Sequence, residues 1–357
     1  MPVKEDIFMK KNKFLAIILG IAIFCGIVCS ALILVTGVKN SSTAFANVPK
    51  REKYPKPHTL EKTKIEEFSE VSINLSYSNV SVLPSDGFYL EYRLDGTCEK
   101  PDYNVTEGKF YFQEGGTLQK YLSPLNLFLN PMNQGPYYLN LYLPTDHYLE
   151  LLSLTMESGN AELEQINAKK ANLRLDYGNL TLGDFTGTTL DISMDSGSIE
   201  QTSITCENLE VIASYGNFMG DTISVSGNCE INMDSGSLEL SSLTAGACSI
   251  DNKYGDCNIG KMKAGSLSCS LDSGNLNLKN TALESADINA QYGDVTLQMA
   301  GKLLDYNYNL EAEYGGIKFD RKQIASNEDG GSIYQSQDSK KKKNIQIYCE
   351  SGNVEIR

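Results

Sequence analysis

Asp176-Tyr177-Gly178-Asn179, Asp195-Ser196-Gly197-Ser198, Ser214-Tyr215-Gly216-Asn217 and Asp234-Ser235-Gly236-Ser237 restate one phrase along the chain. It precedes them as Glu157-Ser158-Gly159-Asn160. It follows them as Lys253-Tyr254-Gly255-Asp256, Asp272-Ser273-Gly274-Asn275 and Gln291-Tyr292-Gly293-Asp294. From Gly159 to Gly293 the glycines are spaced by 19, 19, 19, 20, 19, 19 and 19 residues. A short fixed period of this kind marks stacked coils, in which each repeat buries its apolar face against its neighbours.

Within each period apolar residues alternate with polar ones. Ahead of the glycines stand Leu152, Leu154 and Met156, then Ala171, Leu173 and Leu175, then Leu190, Ile192 and Met194. Behind them stand Leu180 and Leu182, Leu238 and Leu240, Leu276 and Leu278, Val295 and Leu297. A third short face follows at Ile166 and Ala168, Phe185 and Gly187, Ile204 and Cys206, Ile223 and Val225. Alternation of period two describes strands with one buried face. The sequence therefore predicts an all-β parallel β-solenoid (β-helix), with coils of about 19 residues made of three short strands joined by tight corners. Successive coils stack ~4.8 Å apart.

Gly159, Gly178, Gly197, Gly216, Gly236, Gly255, Gly274 and Gly293 are the structural corner. Glycine supplies backbone angles that other residues resist. The Asp, Asn and Ser beside it are expected to hydrogen-bond the turning backbone. The residue before the glycine alternates Ser and Tyr through eight coils. Two readings compete. In one, a Tyr fills room left by the Ser of the next coil. In the other, Tyr177, Tyr215, Tyr254, Tyr292 and Tyr314 form a candidate binding surface for stacking on sugar rings or peptides.

The chain has 357 residues and a net charge of −14, unevenly placed. Residues 1–64 hold 11 Lys/Arg against 4 Asp/Glu, which leaves 20 against 41 for the rest. Nucleic acid is a poor partner for so acidic a body, and a cationic partner an easier one. Residues 14–38 carry no charge. As a helix they span roughly 37 Å, enough to cross a membrane. Lys10, Lys11 and Lys13 precede this transmembrane anchor and Lys39 follows it. Residues 1–13 are then a cytoplasmic tail, and the C-terminal domain is extracytoplasmic on a single-pass cell-membrane protein. Ala44-Phe45-Ala46 resembles a cleavage site. The apolar stretch exceeds the ~7–15 residues of a signal-peptide core, which favours an uncleaved anchor. Cys25 and Cys29 lack the small preceding residue of a lipoprotein signal.

Residues 39–64 read as a basic, Pro-containing linker and 65–150 as an N-terminal β capping section. Its strands lie around Val71, Val80, Phe88, Lys109 and Tyr137, with a less regular loop at 113–136. Within it Tyr77-Ser78-Asn79-Val80 reads as a degenerate corner. Residues 151–357 are the solenoid repeats. The rhythm loosens after Gly293, with Tyr314-Gly315 coming 22 residues later and Ser351-Gly352 another 37. Between them the polar stretch at about 320–343, with Lys340-Lys341-Lys342-Lys343, reads as a mobile excursion that can be removed without unfolding the solenoid.

Cys206, Cys229, Cys248, Cys257, Cys269 and Cys349 fall on core columns and read as small hydrophobes. Cys229 and Cys248 neighbour each other in one ladder, a poor geometry for a disulfide. Cys98 stands apart in a loop. With two His far apart and no CxxC pair, zinc is not expected. The acidic residues Glu157, Asp195, Asp234, Asp272 and Glu350 read as turn caps before calcium ligands. No cofactor and no catalytic residue is expected. Walker, GxSxG, HExxH and dinucleotide motifs are absent, and Arg174 is the only Arg in the regular coils.

Taken together, Tyr77-Ser-Asn-Val-Ser-Val-Leu-Pro84, the strand Leu141-Tyr142-Leu143-Pro144 leading into Glu157-Ser158-Gly159-Asn160, and the repeated Asp-Ser-Gly coils resemble the bacterial putative-adhesin family over residues 65–357. These are β-strand-repeat proteins of unknown function, many of them from Gram-positive envelopes. The resemblance implies a membrane-anchored or secreted β-solenoid; the first functional reading is a noncatalytic, adhesin-like or scaffolding envelope protein with a cell-wall polymer as candidate partner. Some relatives are linked with envelope stress from antimicrobial peptides. That implies, as an alternative, a sensor or regulator of cationic peptides working with a membrane-protein partner. A glycan-active β-helix enzyme is a minor third alternative. The basic stretch at 320–343 departs from the family pattern.

Overall fold

The computed structural model describes residues 55–118, 135–327 and 330–357. The expected tail, the span at 14–38, linker residues 39–54 with Ala46, Cys25 and Cys29, and loop residues 119–134 lie outside the described residues. Among the described residues no helix is long and apolar enough to cross a membrane.

The strand Ala161–Tyr177 shows how one coil is built. Its buried residues are Ala161, Leu163, Ile166, Ala168, Ala171, Leu173 and Leu175. The steps of two are strand alternation. The two steps of three turn Glu164-Gln165 and Lys169-Lys170 outward together, and there the chain bends. The three expected sides are present, but tight corners do not separate three strands. Only the glycine corner interrupts the 17-residue strand, because the two bends keep their pairing with the next coil. Leu180–Ser196 lies parallel on it, with Leu182 over Leu163, Phe185 over Ile166 and Ile192 over Leu173. The same columns continue coil after coil into one core of Leu, Ile, Val, Met and Phe.

At the corner the glycines stack. From Gly159 to Gly293 their φ values run from +115° to +142°. A Cβ added to Gly178, Gly197, Gly216, Gly236, Gly255, Gly274 or Gly293 would lie 1.6–2.0 Å from the carbonyl oxygen of the preceding glycine. Two reasons thus exclude side chains here: the backbone angle and the absence of space.

Both ends of the solenoid depart from chain order. Lys343–Ser351 enters as a coil between Leu276–Tyr292 and Tyr306–Ala312, parallel to both. Val354–Ile356 likewise lies between Val295–Met299 and Ile317–Phe319. The C-terminus is therefore the penultimate rung, not the last. At the other end Glu70–Leu75 lies between Lys109–Gln113 and Leu149–Ser158. Asn79–Ser85 lies between Tyr138–Pro144 and Ala161–Tyr177. Residues 70–85 are thus already a coil, and the solenoid does not begin at 151. The expected capping section at 65–150 therefore contains a coil as well as the outer strands.

Antiparallel strands close each end. Tyr89–Leu94 pairs with Tyr138–Pro144, and His58–Lys64 covers Tyr89–Leu94. Asp102–Thr106 covers Lys109–Gln113. The linker expected over 39–64 therefore ends before His58. His58–Lys64 shows no apolar alternation, as befits an edge strand of Thr, Glu and Lys. Charged, polar outer strands are how an open sheet edge is protected from further pairing.

The polar stretch at 320–343 is likewise a lid rather than a free excursion. Ser332–Ser336 pairs antiparallel with Tyr306–Ala312, and Lys322–Gln323 with Ile317–Phe319. Phe319 stacks on Tyr334 at 4.3 Å and meets Tyr308 edge-on at 4.9 Å. Lys341 Nζ donates to the Tyr306 carbonyl at 3.0 Å, and Lys343 pairs with Glu284 at 3.0 Å.

Two outcomes are expected. Gly236→Ala lowers stability by ~2 kcal/mol or more, read as a fall in melting temperature, since even one methyl meets the Gly216 carbonyl. Phe319→Ala loosens the C-terminal lid, so hydrogen exchange rises at Tyr306–Ala312 while the strand Leu180–Ser196 keeps its protection.

Candidate functional site

The Ser/Tyr alternation becomes regular only in spatial order. Pairing places Tyr177 on Ser158, Ser196 on Tyr177, Tyr215 on Ser196, Ser235 on Tyr215, Tyr254 on Ser235, Ser273 on Tyr254 and Tyr292 on Ser273. Ser351 then follows Tyr292. Gly315 stacks on Gly352, which seats Tyr314 on Ser351. In chain order Tyr292, Tyr314 and Ser351 break the rhythm; inserting the C-terminal strand restores it. At the opposite end Gly159 stacks on the Ser78 backbone, which sets Tyr77 beside Ser158. Ser78 thus occupies the corner position, as its degenerate phrase suggested.

The result is a row of six tyrosines on alternate coils, ~9.6 Å apart given the ~4.8 Å coil spacing. Tyr77, Tyr177, Tyr215, Tyr254, Tyr292 and Tyr314 are 55–65% exposed. Among the described residues none of these rings contacts another. Filling space over a serine does not account for such exposure: the six rings lie on the surface of the solenoid. Tyr77 joins the row although the sequence showed it only as part of an imperfect corner.

A second ladder fixes the row's geometry. Where Asn or Asp follows the corner position, its side-chain oxygen accepts a hydrogen bond from the backbone N–H of the next coil. Asn160 N–H donates to Asn79 Oδ1, Asn179 N–H to Asn160 Oδ1 and Ser198 N–H to Asn179 Oδ1, at 2.9–3.0 Å. Asn275 N–H donates to Asp256, Asp294 N–H to Asn275, Asn353 N–H to Asp294 and Gly316 N–H to Asn353, at 2.8–3.0 Å. These bonds run between coils, not within the turn as expected from local turn chemistry. Two of the carboxylates that stand two residues before the glycine take basic partners: Arg174 Nε meets Asp176 at 3.4 Å, and Lys253 meets Asp234.

The first coil lacks a coil beneath its corner, and Glu114 stands in. Its carboxylate accepts the N–H groups of Ser76 and Tyr77 at 2.7 and 3.0 Å, and the hydroxyl of Ser78. Glu114 is buried, so this is a structural cap beneath Tyr77. The outer end strands carry a further polar cluster. Glu91 accepts from the hydroxyls of Tyr142 and Tyr138 and from Asn140 Nδ2, while Lys62 lies 3.8 Å over the Tyr142 ring. The Tyr142 hydroxyl leads in holding the Glu91 carboxyl below its ordinary value. On the side following the corner a shallow groove of about 520 Å³ runs past Glu239, Asn258 and Lys279. Its lining mixes charges without a convergent pair.

Cys98 lies in the loop between Tyr89–Leu94 and Asp102–Thr106 and, like the six core cysteines, is buried and free. Burial pushes the Cys206 and Cys257 thiols up to about 12 and Cys349 up to about 11. Cys229 is raised by its hydrogen bond to Cys248 and by burial. Among the described residues no three His, Cys, Asp or Glu converge to hold a metal ion.

A family model, Toastrack DUF4097, matches residues 68–227 and 188–357. Among solved structures, a putative lipid binding protein from Parabacteroides distasonis is 14% identical over 85% of this chain and 97% of that one, with a TM-score of 0.39. A putative adhesin from the same organism is 12% identical over 85% and 98%, with a TM-score of 0.38. A putative adhesin from Parabacteroides merdae is 11% identical over 85% and 96%, with a TM-score of 0.40. No curated protein matches the chain.

Asn275→Ala removes the acceptor of the Asp294 N–H and is expected to cost ~1 kcal/mol of stability by denaturant titration. Native protein at pH 8 is expected to leave Cys206, Cys257 and Cys349 unalkylated by iodoacetamide, read by peptide mass spectrometry. These thiols ionise at a higher pH folded than unfolded. Their stabilising contribution is therefore complete below about pH 9 and falls as pH rises toward 11–12.

Proposed function

The chain belongs to the Toastrack DUF4097 family, and on that premise we propose that it is a noncatalytic envelope protein presenting its tyrosine row as an adhesive or scaffolding surface. The observation that carries this reading is the row itself: six half-exposed aromatic side chains at even spacing on a hydrogen-bonded frame. Aromatic rings exposed singly are ordinary, whereas a repeated one on a rigid track is a surface suited to a repetitive partner. The uncharged stretch at 14–38, with three lysines before it, supports a single membrane span that holds the solenoid outside the cell. A cell-wall polymer is then the nearest repetitive partner.

A second reading rests on charge. The portion from residue 65 onward holds 20 basic against 41 acidic residues, which favours cationic peptides electrostatically. In that case the protein senses such peptides and passes the signal through a membrane-protein partner.

Co-sedimentation of the full chain, kept in mild detergent, with purified cell-wall sacculi tests the first reading. Binding is expected, with a fall of about tenfold when Tyr177, Tyr215 and Tyr254 are all replaced by Ala. Sacculus binding indifferent to that replacement refutes it. Binding of poly-lysine that weakens steeply with salt supports the charge reading instead.

A further inference from the structure

The spacing and surroundings of the row narrow its ligand. The six tyrosines repeat along the solenoid axis at every second coil, ~9.6 Å, and the row extends over ~48 Å. A ligand that uses more than one ring is therefore a linear polymer with the same face returning at that interval. In a β-1,4-linked polysaccharide successive sugars face opposite ways, so one sugar face returns once per disaccharide, at nearly this distance.

The polar groups beside the rings include partners for hydroxyls. Each serine between two tyrosines brings a hydroxyl to the row. Asn160 and Asn179 commit their Oδ1 atoms to the next coil, which leaves the amide N–H groups as donors at the exposed corner. The carboxylates of Asp176 and Asp234 are already met by Arg174 and Lys253. The acidic body as a whole repels polyanions. Aromatic faces with serine hydroxyls and amide donors beside them are the chemistry that recognises a sugar ring.

We propose that the tyrosine row is the binding track for a neutral β-1,4-linked polysaccharide laid along the solenoid axis. This rests on the reading that the row is the presented surface.

The probe is insoluble chitin, with the full chain in mild detergent at low and high salt. Retention is expected to be the same at both salts. It is expected to fall about tenfold or more in the combined variant Tyr177→Ala, Tyr215→Ala and Tyr254→Ala. The same three positions changed to Phe are expected to hold within about twofold, since stacking survives without the hydroxyl. Circular dichroism of all three proteins checks the fold, which exposed side chains leave intact. No retention on chitin, retention lost at high salt, or retention equal in the Ala variant overturns the proposal. If chitin fails while sacculus binding still depends on the three tyrosines, the ligand class is wrong and the presented-surface reading survives. If sacculus binding is also indifferent to them, both fall.

Discussion

A carbonyl oxygen at each corner stands where the next coil's Cβ would be, and the rest of the molecule follows from that. The approach of 1.6–2.0 Å to a hypothetical Cβ leaves glycine as the only residue for the inner corners. Because these glycines stack directly, the coils cannot shear past one another without a clash. Everything on the corner is thereby held in register: the apolar columns inside, the Asn and Asp ladder, and the tyrosines outside. The first corner escapes the constraint for a visible reason. Ser78 begins the stack, has no glycine beneath it, and is bound by Glu114 instead.

The Asn/Asp ladder complements this steric lock with a directional one. Each acceptor fixes the N–H of the coil above, so the backbone on either side of the corner is tied between coils as well as along the strands. A tyrosine projecting from such a corner has little freedom in its backbone. Less entropy is lost when a ligand settles across several rings, which is the advantage of a preorganised surface. Repetition then multiplies small individual gains along the row.

The two ends solve the problem that repetition creates. A solenoid has an exposed pairing edge at each terminus, and here neither terminus is simply the last coil in the chain. At both ends a segment is inserted between the body and an outer rung, and polar antiparallel strands then cover that rung. The insertion of Lys343–Ser351 ties the C-terminus into two ladders at once, so the end coil is secured by chain connectivity as well as by packing. The same insertion supplies the Ser351 rung that separates Tyr292 from Tyr314 and keeps the outer row evenly spaced.

Local sequence determined the coil. The glycine period, the alternating apolar columns and the Ser/Tyr rhythm are short-range patterns, and every coil repeats them, so the architecture, the core cysteines and five of the six tyrosines were legible in the residues. Whether the tyrosines face solvent, and the order of coils at the ends, were not. A strand's pattern states which face it buries but not which neighbour it pairs with, and parallel strands of similar pattern are interchangeable until all compete for the same edges. The edge strand His58–Lys64 and the lid at 320–343 carry no alternating apolar pattern; backbone pairing holds both, and at the lid the Phe319–Tyr334 stack adds to it, a contact between residues far apart in any local pattern. Sequence by itself thus determined the repeating unit, while only the tertiary structure decided the stacking order at the ends and the continuous surface row that this order creates, because these depend on long-range pairing that no local pattern encodes.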